Sequence, residues 1–169
     1  PILMRNTSIE KHSQQEFIAK VYRTILALLL ILSGAVIVFI NPFIRFFYPD
    51  YLPSIELTLW LLPGAVMFGL YTLLSSFFIG KGRAVITILI SGISLTINIL
   101  LNITLIPVHG VIGAAIASSI SYTIANCIGL YCYSTRYDIK LFDLLLIRKE
   151  DIKTIVRMLR RKKAQHYVS

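Results

Sequence analysis

The most informative polar residues of this 169-residue chain lie at regular spacing inside a long apolar stretch. Intervals of three or four residues place them along one face of a helix. The residues of this polar face are Thr87, Ser91, Ser94, Asn98 and Asn102. Because an asparagine that faces hydrocarbon is costly, we expect the face to contact protein or water. It either forms hydrogen bonds between helices, worth about 0.6 kcal/mol each, or lines an aqueous translocation cavity.

Motifs for catalysis, metal binding or cofactor binding do not accompany this polar face. The sequence has no HExxH helix and no nucleophile motif of the serine or cysteine hydrolases. The Gly80–Arg83 segment resembles a phosphate loop but lacks the Ser or Thr after Lys81, so it predicts a tight turn. The three histidines are scattered, and two cysteines are too few for a disulfide framework or a four-cysteine zinc site. We therefore expect neither an enzyme nor a cofactor.

The composition indicates an integral membrane protein. Hydrophobic residues make up 56% of the chain and charged residues 15%, with a mean hydropathy of +0.76. A soluble domain carries about 25% charged residues. The net charge of +9 lies outside the apolar runs, so no nucleic-acid partner is expected; the partner is the lipid bilayer.

Four apolar windows are long enough to cross a bilayer as helices. None contains Asp, Glu, Lys or Arg, and they cover residues 24–44, 59–80, 84–106 and 111–133. About 20 residues of helix span the roughly 30 Å of hydrocarbon. The sequence therefore predicts an all-α, polytopic membrane helix bundle with four transmembrane helices in the region 24–133.

Charge in the connecting segments predicts the orientation. Sixteen of the seventeen Lys and Arg residues fall on one side of the predicted membrane, and only Arg45 falls on the other. The positive-inside rule then places both ends and the turn at Lys81 in the cytoplasm. The opposite side receives an aromatic-rich loop at residues 41–58 and a short turn at residues 107–110.

The two ends of the chain are predicted cytoplasmic segments. Residues 1–23 are partly amphipathic, and residues 134–169 form a basic tail. Within the tail, an apolar repeat predicts an amphipathic helix on an anionic leaflet, whereas a disordered basic tail that only enforces topology is the alternative. The repeat consists of Ile152, Ile155, Val156 and Leu159.

Small residues and a proline predict contacts between spans. A small-residue face on the fourth span predicts close helix packing through Gly110, Gly113, Ala114, Ala117 and Ser121. Pro63 and Gly64 in the second span predict either a hinge or a proline that the bundle simply accommodates.

The segment from Asn98 to Tyr122 resembles the penultimate and last helices of polysaccharide (O-antigen type, Wzx-like) flippases. These belong to the multidrug/oligosaccharidyl-lipid/polysaccharide exporter superfamily. The resemblance extends over nearly the whole chain, through Tyr48-Pro49-x-Tyr51, Leu62-Pro63-Gly64 and the Gly80–Arg83 turn.

This resemblance implies a C-terminal fragment that supplies the last four helices of a two-lobe, twelve-helix transporter of the cell inner membrane. The implied substrate is an undecaprenyl-diphosphate-linked oligosaccharide, and other glycan-assembly membrane proteins are the implied partners. The four windows hold neither Lys nor Arg, so the cations expected to meet the diphosphate lie on other helices or the substrate differs. A multidrug or peptidoglycan-precursor exporter of the same superfamily, and a membrane-embedded enzyme of surface-glycan assembly, are the alternatives.

Overall fold

The computed structural model describes the backbone of residues 2–137 and the side chains of residues 17–137. All elements in this part of the chain are helical. They are α1 (Ile2–Phe47), a short 3-10 helix (Pro49–Tyr51), α2 (Pro53–Gly80), α3 (Ala84–His109) and α4 (Val111–Tyr137). The predicted tail helix at residues 152–159 lies outside the described residues.

Four helices are long and apolar enough to cross a membrane. They are Phe17–Phe47, Pro53–Gly80, Ala84–His109 and Val111–Tyr137, and each contains one of the four predicted windows. At 1.5 Å per residue, the 26 residues of α3 reach about 39 Å, which exceeds the roughly 30 Å hydrocarbon layer. The predicted all-α membrane helix bundle is confirmed.

Prolines set the corner between α1 and α2. Tyr48 leaves the helical region, with a φ of −141°, because the following Pro49 disfavours helical backbone before it. Pro53 begins α2, where its missing amide hydrogen removes no helical bond. Only Tyr48 and Leu52 lie outside helical elements in the segment 41–58, so the expected long loop is a compact corner.

Glycines set the other two turns. Gly82 adopts a φ of +72° in the turn before α3, and Gly110 adopts a φ of +58° between α3 and α4. α3 continues through Pro107 to His109, so the expected turn at residues 107–110 shrinks to Gly110. A proline in the last turn keeps a helical φ and removes a single helical bond, which the helix end tolerates.

The chain divides into two compact units, and Leu29–Tyr133 is the larger. Its core includes the buried side chains Leu70, Tyr71, Leu74 and Phe78 from α2, Ile90 from α3, and Ala117 and Ala125 from α4. The described part of the other unit comprises residues 2–28 and 134–137, and Ala19, Tyr22 and Arg23 are buried in it.

Candidate functional site

The polar face of α3 forms hydrogen bonds with both α2 and α4. The buried Ser94 hydroxyl donates to the carbonyl of Ser121 on α4 over 2.9 Å. On the α2 side, the Tyr71 hydroxyl donates to the Thr87 carbonyl over 3.1 Å and lies 2.9 Å from Ser91 Oγ. Since the phenol carries a single proton, the Ser91 hydroxyl is the donor in the second bond. Three members of the polar face thus connect neighbouring helices.

Asn98 and Asn102 form a ladder one helical turn apart. Asn102 Nδ2 donates to Asn98 Oδ1 over 2.9 Å. Asn98 Nδ2 in turn donates to Ser118 Oγ of α4 over 3.4 Å, which is at the long end of the hydrogen-bond range. The amide of Asn98 therefore retains capacity for a further donor bond, since each amide nitrogen carries two hydrogens.

Unused hydrogen-bonding capacity lies at both ends of the polar face. Thr87 Oγ1 and Asn102 Oδ1 are buried and have no hydrogen-bond partner among the described residues. A buried polar atom without a partner costs free energy, and hydrocarbon offers it nothing to bond. The middle of the face is bonded to protein, whereas its two ends carry oxygens that can still accept a hydrogen bond.

An open groove of about 180 Å³ runs beside the middle of this face, between α2, α3 and α4. Aromatic, hydroxyl and amide groups surround it, and no charged side chain takes part. The Phe68 and Tyr122 rings lie 4.8 Å apart on its wall. The lining residues are Phe68, Tyr71, Ser91, Ser94, Leu95, Asn98, Tyr122 and Ala125. We call this feature the polar groove.

The predicted small-residue face of α4 is only partly buried. Gly113, Ala117 and Ser121 are buried, Ala114 is half-buried, and Gly110 is exposed in the turn before the helix. A Cβ built on Gly113 would lie against the Leu105 carbonyl, so only glycine permits the approach of the α4 start to the α3 end. Gly113, Ala117 and Ser121 therefore lie where the packing prediction places them, whereas Gly110 serves the turn.

The predicted hinge residues lie at a contact between α2 and α4. Pro63 is inside α2, and the buried Gly64 approaches Ser119 of α4 so closely that a Cβ at position 64 would lie 2.6 Å from Ser119 Oγ. The hinge role stays a prediction.

Several residues of the site could not be predicted from the sequence, because their own helices show no periodic polar pattern. They are Tyr71 and Phe68 on α2 and Ser118, Ser119 and Tyr122 on α4. Tyr71 stands as a single polar-tipped residue in an apolar run, and only the packing of α2 against α3 gives it the Thr87 and Ser91 partners. The adjacent Ser118 and Ser119 were the one available signal on α4.

The described part of the chain contains no group of three or more His, Cys, Asp or Glu side chains that could hold a metal ion.

Comparisons with protein-family models, with curated proteins and with solved structures gave no match to this chain. The geometry and the sequence patterns are thus the basis for a functional proposal.

Proposed function

We propose that this chain forms part of a multi-pass inner-membrane flippase. It moves an undecaprenyl-diphosphate-linked oligosaccharide across the cytoplasmic membrane during surface-polysaccharide synthesis and is not an enzyme. Two features support the proposal: four membrane-length helices and the resemblance of the segment from Asn98 to Tyr122 to flippases of this type.

The polar groove is the observation that carries the proposal. It lies beside Ser91 and Asn98, near the middle of the α3 span, and places hydroxyl and amide groups within a mostly apolar surface. Substrate sites of secondary transporters are typically found at this depth. Transport of a polar group through the bundle is a function that this groove can serve.

The chemistry of the groove fits an uncharged, hydroxyl-rich group. The Tyr71, Ser91 and Ser94 hydroxyls use their hydrogens within the protein and keep lone pairs that can accept a hydrogen bond, and the Asn98 amide adds a spare donor. Sugar hydroxyls also donate and accept. The aromatic rings of Phe68 and Tyr122 offer apolar surface to the C–H face of a sugar ring. The groove lacks a carboxylate that would form an ion pair with a cationic drug.

The groove is one part of a longer path. Ligand pockets usually measure about 300–1,000 Å³, so about 180 Å³ holds a single ring and not a whole repeat unit. In the proposed topology both ends are cytoplasmic, and other glycan-assembly membrane proteins deliver the lipid-linked substrate on that side.

The proposal is tested by replacing the groove amide in the full-length protein. Asn98→Leu should lower the export of surface glycan roughly tenfold, because loss of hydrogen bonds to a transported group raises its barrier by about 1.4 kcal/mol. Thr96→Val is the matched control, since the exposed Thr96 hydroxyl bonds only to the Gly92 carbonyl of its own helix. The measurement is surface glycan in cells that lack their own flippase.

Both variants must accumulate to the wild-type level for the comparison. Reduced export with Asn98→Leu and normal export with Thr96→Val supports the role of the groove. Equal export by both variants contradicts it, and absence of export by the wild-type protein contradicts the flippase function itself.

A further inference from the structure

α2 has a weak point at Pro63, where its helical hydrogen bonding is interrupted. A helical residue at this position would donate its amide hydrogen to the carbonyl of Leu59, four residues earlier, and proline has no such hydrogen. The proline ring also crowds the carbonyls of the preceding turn, which favours a kink in the helix. Pro63 therefore leaves the Leu59 carbonyl without its helical donor and disturbs the turn that also contains the Trp60 carbonyl.

Ser119 of α4 supplies a donor at this weak point. Its hydroxyl donates to the Trp60 carbonyl over 2.7 Å, which is a short, well-formed bond across two helices. Neighbouring helices and their serine hydroxyls supply hydrogen bonds at proline sites in membrane spans. Here the acceptor is the Trp60 carbonyl, one residue after the Leu59 carbonyl that Pro63 frees. Gly64, one residue after the proline, allows the approach, because its bare Cα lets the Ser119 backbone lie directly against α2.

The two halves of α2 pack very differently on either side of this contact. From Gly64 onward, buried residues recur through Val66, Leu70, Leu74 and Phe78. None of residues 53–63 is buried in the described part of the chain. Ring contacts with α4 also lie on the Gly80 side, such as Phe68 with Tyr122 at 4.8 Å. The bond from Ser119 is thus the point where firm packing ends.

We propose that Ser119, Gly64 and the Trp60 carbonyl form a latch that holds the proline break of α2 closed. With the latch shut, the segment 53–62 continues the line of α2 beside α4. With the latch open, this segment tilts at Pro63 while the Gly64–Gly80 half stays packed. The proposal goes beyond the transport function, because it concerns a conformational device whatever the cargo.

Distances between spin labels in the full-length protein, reconstituted in lipid bilayers, test the latch. One pair joins Glu56 to Val111, which are exposed near the Pro53 end of α2 and the start of α4. The other pair joins Ile79 to the native Cys127, both exposed, on the Gly80 half. Cys132 is replaced by Ala in all samples, and Cys127 is replaced by Ala in the 56–111 samples. Ser119→Ala removes the donor. Thr123→Val is the control, since the Thr123 hydroxyl bonds only within α4, to the Ser119 carbonyl.

We expect Ser119→Ala to broaden and lengthen the 56–111 distance and to leave the 79–127 distance unchanged. Thr123→Val should change neither. Gly64→Ala should also lengthen the 56–111 distance with the hydroxyl still present, because a Cβ at position 64 would clash with the Ser119 backbone and push it away from α2. Unchanged 56–111 distances in both variants would overturn the latch. Equal broadening of both distances in Ser119→Ala would also overturn it, since loss of one hydroxyl would then have loosened the whole α2–α4 contact.

Discussion

The closest helix contacts of this bundle depend on the absence of a Cβ atom at particular glycines. At Gly113 a Cβ would lie against the Leu105 backbone carbonyl, whereas at Gly92 a Cβ would have no neighbour within 4 Å. The two glycines look alike in the sequence, yet only the first has a backbone wall beside it. Because a backbone cannot give way as a flexible side chain can, a methyl group at position 113 must separate α3 from α4.

A pair of glycine substitutions measures this difference. Gly113→Ala should lower the free energy of unfolding by about 1–3 kcal/mol, the usual cost of overpacking. Gly92→Ala should leave it nearly unchanged or raise it slightly, because alanine favours helix more than glycine does. The measurement is SDS-induced unfolding of the full-length protein in mixed micelles. Equal losses in both variants would mean that the Leu105 contact is unimportant.

At the scale of the elements, the sequence predicted the spans well and their connections less well. Hydrophobic length and the absence of charge are properties of one helix alone, and all four windows fall within single helices. The helix ends depend on finer balances. Pro107 looked like a terminator, but α3 absorbs it and runs on to His109, where Gly110 can adopt a positive φ.

The sequence alone could not predict which residues of neighbouring helices form hydrogen bonds with each other. The spacing of Ser91 and Ser94 predicted a shared polar face and the need for partners inside the protein. It could not tell that Ser91 meets Tyr71 and Ser94 meets the Ser121 carbonyl. Those partners follow from the rotation and height of α2 and α4, which depend on packing contacts such as Gly64 on Ser119. The same packing places Tyr122 beside the polar groove.

At the scale of the whole molecule, the apolar exterior and the charge asymmetry define the relation to the bilayer. Large apolar side chains such as Val85, Ile88 and Ile103 are about two-thirds exposed on α3 alone. In water such a surface would aggregate, and in a membrane it contacts lipid or further helices. The distribution of the basic residues predicts which of the two possible orientations the bundle adopts.

Cysteine labelling measures that orientation. Ser54→Cys, at the α1–α2 corner, should react with a membrane-impermeant maleimide in intact cells. Lys81→Cys, in the turn between α2 and α3, should react only after permeabilisation, because the positive-inside rule places it in the cytoplasm. Cys127 and Cys132 are replaced by Ala in both variants. The reverse pattern would show that the bundle has the opposite topology.

Transport by the purified protein tests the central claim most directly. Full-length protein is reconstituted in vesicles with a polyprenyl-diphosphate oligosaccharide that carries a fluorophore on the sugar, and ion gradients are imposed. The rate at which an impermeant quencher reduces the fluorescence of the protected leaflet then measures how fast the labelled lipid crosses the bilayer. We predict loss with the wild-type protein, the same rate with Thr96→Val, and a rate about tenfold lower with Asn98→Leu. Unchanged fluorescence of the protected leaflet in the presence of the folded wild-type protein would contradict the proposed flippase function.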